Sequence, residues 1–378
     1  MAKIDQQHLI ELFCTLAKIK SPSGQEEKIS KKVIKLLTEY GLKVFQDSYG
    51  NIIAKLNGSG QPIIFCAHMD TVSVNPDSQI IPIINDKIIT SDGKTILGAD
   101  NKDAIAAILE MLKTLKDYSL PHKPLEIIFT KEEESISKGA RNLDFSKIKG
   151  KICIVADHAE PYGTIVLGAP EVISFNIKIN GKRAHVKNPE QGKNALLVAA
   201  RAITKIPLGR IDRFTTSNLA FQTSGLKGLI DKDNKTIVSL ATENRNSVPD
   251  LTAIFGEIRG IHKETVKNNL KKIKFIFEQE AKKLEAELKF ETNQSTVGYL
   301  FDKKNSLISM LVEEFKKQGI AAKFDYAVGG SDANVLNQHG ITSVVISSAG
   351  KNNHQLSEYL IIEELIQMAN LFLNLAQK

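Results

Sequence analysis

The sequence predicts an α/β fold interrupted by a smaller inserted α+β domain, and three observations predict it. Short, almost wholly apolar runs (NIIAKL, PIIFCAH, LEIIFT, KICIVAD) alternate with amphipathic helical patterns over roughly the first 165 residues, as strands covered on both faces must. From about residue 170 the runs become alternating, as in EVISFNIKING, the pattern of a half-exposed strand. After about residue 297 the first texture returns. A chain of 378 residues is long for one domain. We therefore expect one domain built from residues 1–169 and 298–378, with residues 170–297 inserted into it.

The elements follow in order. Residues 4–19 place Ile4, Leu9, Leu12, Phe13, Leu16 and Ile19 largely on one helical face, and residues 25–41 repeat the pattern. NIIAKL and PIIFCAH read as strands, and SDG inside IITSDGKTILG is a hairpin turn signal. DAIAAILEMLKTLKDY is a helix with Ile105, Ile108, Leu109, Leu112 and Leu115 inward. LEIIFT and KICIVAD are further buried strands. The insert carries the strand EVISFNIKING, the helix NALLVAARAITKI and strand-like stretches at about 214–224 and 236–243. The strand LTAIFGEIRG, a Lys/Glu-rich helix at 263–284 and the strand EAELKFETN complete it. That order gives a sheet with one exposed face. NSLISMLVEEFKKQG then predicts a helix, TSVVIS a strand and IIEELIQMANLFLNLAQ a closing helix.

Composition excludes several classes. With 42% hydrophobic and 25% charged residues and no low-complexity tract, the chain is globular. The net charge of +7 comes almost entirely from lysines scattered beside glutamates, and there is no tryptophan. A basic stripe with interleaved aromatics is absent, which argues against nucleic-acid binding. No apolar run approaches the ~20 residues that span a bilayer, and the opening MAKIDQQHLIELFCTLAKIK reads as an amphipathic helix rather than a signal peptide. Cys14, Cys66 and Cys153 are odd in number and far apart; they read as small buried hydrophobes of a reducing compartment. We expect a cytoplasmic protein with no membrane or nucleic-acid partner. No G-x-G-x-x-G occurs, which argues against a dinucleotide-dependent oxidoreductase.

The chemistry is concentrated where strands end. PIIFCAH ends at His68-Met69-Asp70, ILG runs into Asp100, LEIIFT leads into Lys131-Glu132-Glu133-Glu134, KICIVAD ends at Asp157-His158, and His354 lies a short loop after TSVVIS. In an open α/β sheet the crevice beyond the carboxyl ends of the strands is where ligands bind. Carboxylates gathered there repel one another and need compensation, which divalent metal supplies. Imidazole with carboxylate suits zinc, and also cobalt or manganese. Two metals ~3.5–4 Å apart form a hydrolytic device, and five ligands satisfy it if one carboxylate bridges. A metal-bound imidazole usually hands its other N–H to an acceptor, and Asp70, two residues after His68, can take that part. Of two adjacent glutamates in an irregular loop, one can bind metal while the other accepts a proton. His8, His122, His262 and His339 read as surface or core residues, His158 as a neighbour of the site, and His185 as a plain strand-end histidine.

These residues resemble a family. FCAHMDTV, LGADNKDAIAAILEML, IIFTKEEESISKGARNL, DHAEPYGTIVLGAP, INGKRAHV, GRIDRFTTSNLA, NSVPD, GEIRG, GGSDANVLNQHGI and HQLSEYLIIEEL are similar to segments of the two-zinc exopeptidases and deacylases that include peptidase T, carboxypeptidase G and aminoacylase-1. The likeness is strongest to the peptidase T-like tripeptidases, and the segments run in the family's order from residue 65 to 365. The resemblance implies a zinc-exopeptidase domain with a mixed, mainly parallel sheet, and an inserted lid with a four-stranded antiparallel sheet through which the protein dimerises. It implies His68 and Asp157 on one Zn2+, Glu134 and His354 on the other, and Asp100 bridging. Asp70 would orient His68 and Glu133 would be the general base. His185 would reach the active site of a partner subunit, Arg259 would grip a substrate carboxylate, and Asn218, Asn246 and the loop Gly329-Gly330-Ser331-Asp332 would line the pocket. The implied substrate is a short peptide, with tripeptide aminopeptidase activity the first reading and carboxypeptidase, dipeptidase or N-acyl-amino-acid deacylase activity the alternative. Two departures are Asn101, where the family often has aspartate, and HQLSE in place of His-Thr-x-Glu-Glu.

Overall fold

A computed structural model describes residues 3–73, 75, 78–225 and 246–377. The chain divides into two compact units, Met1–Ala169 with Leu300–Lys378, and Pro170–Tyr299. In the first unit the chain ends that flank the insert meet, because the Phe301 N–H donates to the Leu167 carbonyl at 2.7 Å.

A mixed nine-stranded sheet organises the first unit. From one edge, its path runs Lys43–Gln46, Ile52–Leu56, Leu125–Thr130, Ile63–His68, Ile152–His158, Thr342–Ser347 and Thr164–Ala169. The pairs among Leu125–Thr130, Ile63–His68, Ile152–His158 and Thr342–Ser347 are parallel, so their carboxyl ends share one edge. Every residue of Ile63–His68 and Leu125–Thr130 is buried, which is why these runs are apolar without alternation. Ile63, Phe65, Ala67, Leu125, Ile127 and Phe129 enter the main core with the helices Gln6–Ala17, Ala99–Asp117 and Ile362–Gln377. The alternate row, including Ile64, Cys66, Ile128 and Cys153, is buried on the opposite face. Asp5 starts the first helix by accepting the His8 N–H, a side-chain cap for one of the donors a helix end leaves open.

The SDG turn differs from the expected hairpin. Ile88–Thr90 pairs with Ile83–Ile84 upstream and with Tyr359–Ile361, not with the residues after the turn. Those residues, Ile96 and Leu97, are drawn into the core and carry the chain to Asp100.

The second unit is an antiparallel sheet of four long strands, in the order Thr215–Gly225, Leu251–Gly260, Glu171–Asn180 and Glu287–Thr296, with the two-residue strand Gly209–Arg210 on the outer side of the first. Helices Ala195–Ile203 and Lys263–Lys283 cover one face, where Phe175, Ile177, Ile254, Val198, Ile273 and Phe277 form a separate core. Strand burial alternates as expected of a half-covered sheet. Gly256 is required by this packing, since a Cβ there would lie 2.4 Å from the Phe175 ring. The strand-like stretch at 236–243 lies outside the described residues.

Candidate metal centre

Each expected ligand reaches the same place from a different element. His68 is the last residue of Ile63–His68, Asp157 lies at the end of Ile152–His158, and Asp100 opens Ala99–Asp117. Glu133 and Glu134 follow Leu125–Thr130, and His354 follows Thr342–Ser347 in a loop where it adopts φ 68°. Because the four central strands run parallel, their loops emerge on one edge.

His68 Nε2 lies 3.0 Å from Asp100 Oδ1 and 3.8 Å from Asp157 Oδ1. His354 Nε2 lies 3.3 Å from Asp100 Oδ2 and 2.7 Å from Glu134 Oε1. Thus His68, Asp100 and Asp157 form one cluster and Asp100, Glu134 and His354 a second, with the ligand atoms of each within 4.8 Å of one another. Asp100 belongs to both and offers a different oxygen to each imidazole. The Asn101 side chain turns away to donate to the Ala156 carbonyl at 2.6 Å, and the peptide bond between Asp100 and Asn101 is cis.

The donor set fits a pair of dications. Burial alone would disfavour a charged His68, but hydrogen bonds with Asp100, Asp157 and Asp70 outweigh it and hold its pKa well above the ordinary value. Burial, reinforced by the Asp100 charge, pushes Asp157 up to about 7. The neighbouring carboxylates of Asp100 and Glu134 push His354 up to about 10. Burial works against ionisation of Asp100 too, yet the two imidazoles hold its carboxyl below the usual range. Protons on imidazoles therefore balance the carboxylates here, a balance that cations would take over while freeing the ring nitrogens as ligands. Glu134 Oε1 is buried and makes no aligned hydrogen bond despite its closeness to His354. A buried acceptor without a donor is an expected sign of an ion site.

Asp70 is 0% exposed and ties the centre together. Its carbonyl lies 2.9 Å from His68 Nδ1, an acceptor that directs Nε2 toward the carboxylates. Its carboxylate accepts the backbone N–H groups of Glu133 and Glu134 at 2.9 and 3.2 Å and the Ser23 hydroxyl at 2.7 Å. The Glu133 side chain accepts from the Ser137 hydroxyl at 3.2 Å. Burial, with the Asp157 charge next, raises its pKa well above the ordinary carboxylate value. Asp332, the last residue of the expected pocket loop, is buried, and its carboxylate accepts the Thr130 hydroxyl at 2.5 Å just before the Glu133 loop. Sequence reasoning missed Ser23, which carries no spacing signal because it acts through one long-range hydrogen bond.

Gly330 and Ser331 belong to the first unit, where the Ser331 N–H donates to Asn334 Oδ1 at 3.0 Å as the helix Asp332–Gln338 begins. His185, Asn218, Asn246 and Arg259 belong to the second unit. His185 forms an isolated bridge with Ser247, and its Nδ1 accepts the Lys187 N–H at 3.1 Å. Asn218 stands opposite Glu257 on the neighbouring strand. The Arg259 guanidinium holds Glu257 Oε1 through Nε at 2.7 Å and Nη2 at 2.5 Å. His158 Nε2 lies 3.5 Å from Asp325 Oδ2, outside both clusters.

Residues 64–378 match the sequence model of Peptidase family M20/M25/M40. The crystal structure of aminopeptidase PepT from Bacillus cereus is 33% identical with a TM-score of 0.88, over 99% of this chain and 98% of that one. A tripeptidase from Staphylococcus aureus is 29% identical with a TM-score of 0.86, over 99% and 98% of the two chains. Peptidase T from Vibrio cholerae is 25% identical over 395 residues, spanning 94% of this chain and 92% of its own length.

Proposed function

We propose that this chain, which belongs to Peptidase family M20/M25/M40, is a two-zinc tripeptide aminopeptidase. That it is a metal-dependent hydrolase of the peptidase type follows from the family. The narrower reading is supported by the aminopeptidase and tripeptidase at 33% and 29% identity over nearly the whole chain. The observation that carries the mechanism is the pair of ligand clusters sharing Asp100, with Glu133 beside them.

Two divalent cations bound there would polarise the scissile carbonyl and make a water acidic enough to lose a proton near neutrality. Imidazole and carboxylate ligands suit Zn2+, and also Co2+ or Mn2+. His68 is directed by the Asp70 carbonyl, which fixes the proton on Nδ1 and keeps Nε2 for the ion. Glu133, with its backbone fixed by Asp70 and its proton affinity raised by burial, takes the proton from water and returns it to the departing amine. Residues 170–297 serve as the lid, and a dimer forms through them. His185 of the partner subunit donates to the carbonyl oxygen as charge develops there. Arg259 binds the free carboxylate of the peptide, exchanging Glu257 for it. Asn218, Asn246, Gly330 and Ser331 line the substrate. Among the described residues no helix is long and apolar enough to cross a membrane, and a cytoplasmic site of action accords with three free cysteines.

The test is a substrate panel on zinc-loaded protein. Ala-Ala-Ala should be cleaved from its amino end, with kcat/KM well above that for Ala-Ala or N-acetyl-methionine. Preferential hydrolysis of N-acetyl-methionine would replace this reading with a deacylase.

A further inference from the structure

The two cation positions differ in what holds them. His68 and Asp157 stand on adjacent strands whose parallel register pairs Ile64 with Cys153 and Cys66 with Val155. The sheet itself therefore sets their spacing. Glu134 and His354 stand on loops, and a loop needs other restraints to hold a ligand atom in place.

Two buried carboxylates supply those restraints, and neither belongs to either cluster. Glu358 is 2% exposed and Asp103 is 0% exposed. Glu358, four residues beyond His354, reaches the start of the helix that bears Asp100. Its Oε2 accepts the Gly98 N–H at 2.7 Å and its Oε1 accepts the Asp100 N–H at 3.3 Å. This helix end has no side-chain cap of its own, and Asp100 and Asn101 have non-helical dihedrals. Its donors would stay open without a partner from elsewhere. Asp103 makes the reverse connection. From the helix that bears Asp100, its Oδ2 accepts the N–H groups of Ala349 and Gly350, each at 2.9 Å, where the strand Thr342–Ser347 passes into the His354 loop. Gly350–Lys351 then pairs with Tyr359–Ile361, closing residues 352–358 into a hairpin loop fixed at its base. Inside that frame the Asn353 amide donates to Asp100 Oδ2 at 2.9 Å.

The helix carrying Asp100 thus grips the loop carrying His354, and that loop grips the helix in return. Burying two carboxylates beside a third is costly unless their hydrogen bonds are needed. We propose that Asp103 and Glu358 are positioning residues for the second cation, which together fix the Asp100-to-His354 spacing while leaving the His68–Asp157 side to the sheet. The proposal rests on the two-metal reading given above.

The experiment is a stepwise Co2+ and Zn2+ titration of chelator-stripped protein by calorimetry, with circular dichroism to establish folding. His354→Ala marks the ion of the second position and Asp157→Ala that of the first. Glu358→Gln, which keeps one acceptor but presents an N–H to a backbone N–H, should weaken the ion marked by His354→Ala by about 10–100-fold. Asp103→Asn should do the same, and Glu358→Asp provides a folded alternative should either fail to fold. The ion marked by Asp157→Ala should keep its wild-type affinity, and added Zn2+ should restore turnover, as a general loss of structure would not allow. Equal weakening of both ions, or unchanged affinity for both, overturns the proposal and leaves the two-metal reading intact. Binding of fewer than two ions by the wild-type protein overturns both.

Discussion

Asp70 Oδ1 accepts the backbone N–H of Glu133 at 2.9 Å, while the carbonyl of the same aspartate faces His68 Nδ1. One residue therefore contacts both His68, the proposed ligand on one strand, and Glu133, the proposed base on the loop of the next. Ligand geometry and base geometry cannot shift independently. Asp70→Ala keeps that carbonyl and removes the carboxylate, so it should lower kcat at saturating metal, by about 100-fold for a base displaced by ~1 Å, and lower metal affinity less. Metal titration combined with steady-state kinetics checks this, and a loss confined to metal affinity would show that Asp70 does not place the base.

Glu133→Gln keeps the shape of the side chain and the backbone hydrogen bond to Asp70. It should retain both ions yet lose roughly 10²–10⁴-fold in kcat, the usual weight of a positioned acid–base group. Metal content and kcat measured on one preparation test it. Near-normal turnover would remove Glu133 from the mechanism.

Arg259 is held by Glu257 through two contacts, so a substrate carboxylate has to displace an internal one. Arg259→Ala should raise KM for free tripeptides by about tenfold or more, in keeping with loss of a charged hydrogen bond of ~1.5–3 kcal/mol, and leave amidated peptides nearly unaffected. Glu257→Gln should lower KM for the free acids. An equal loss on amides would place Arg259 outside substrate recognition.

Chelation should abolish hydrolysis without unfolding the chain. The main core of the first unit, around Phe65, Leu109 and Phe372, does not depend on the ligands, and protons on His68 and His354 can balance the carboxylates. Far-ultraviolet circular dichroism should be unchanged while activity disappears and returns with Zn2+. Loss of helical signal on chelation would contradict it.

Gly256→Ala would drive a methyl group into the Phe175 ring. Overpacking of this kind costs roughly 1–3 kcal/mol. Urea unfolding should show the loss in the second unit alone, with metal affinity unchanged; an unshifted midpoint would mean the ring can move aside freely.

Much of this was legible in the sequence because burial on both faces of a sheet forces near-continuous apolar runs. PIIFCAH, LEIIFT, KICIVAD and TSVVIS all became central strands, and the expected ligands other than Asp100 lie at or just beyond their ends. The alternation in EVISFNIKING and LTAIFGEIRG marked the half-covered sheet in the same way. The short strands Lys43–Gln46 and Lys323–Tyr326 were not legible, since both are partly exposed and neither alternation nor an apolar run survives in four residues. Asp103 and Glu358 were hidden for another reason. A carboxylate near a helix start ordinarily reads as solvated and favourable to the helix dipole, and the partner of Glu358 lies 260 residues away in the chain.

The meeting of Phe301 with Leu167 at 2.7 Å makes the insert a cassette. Backbones joined by such a hydrogen bond run about 5 Å apart, a span that a short turn of roughly two to five residues closes. Residues 170–299 could therefore be excised and the ends spliced by a short glycine turn, giving a miniature that keeps the core and both ligand clusters of the first unit. The same junction offers a route by which such a chain could exchange one inserted domain for another without rebuilding the sheet beneath it.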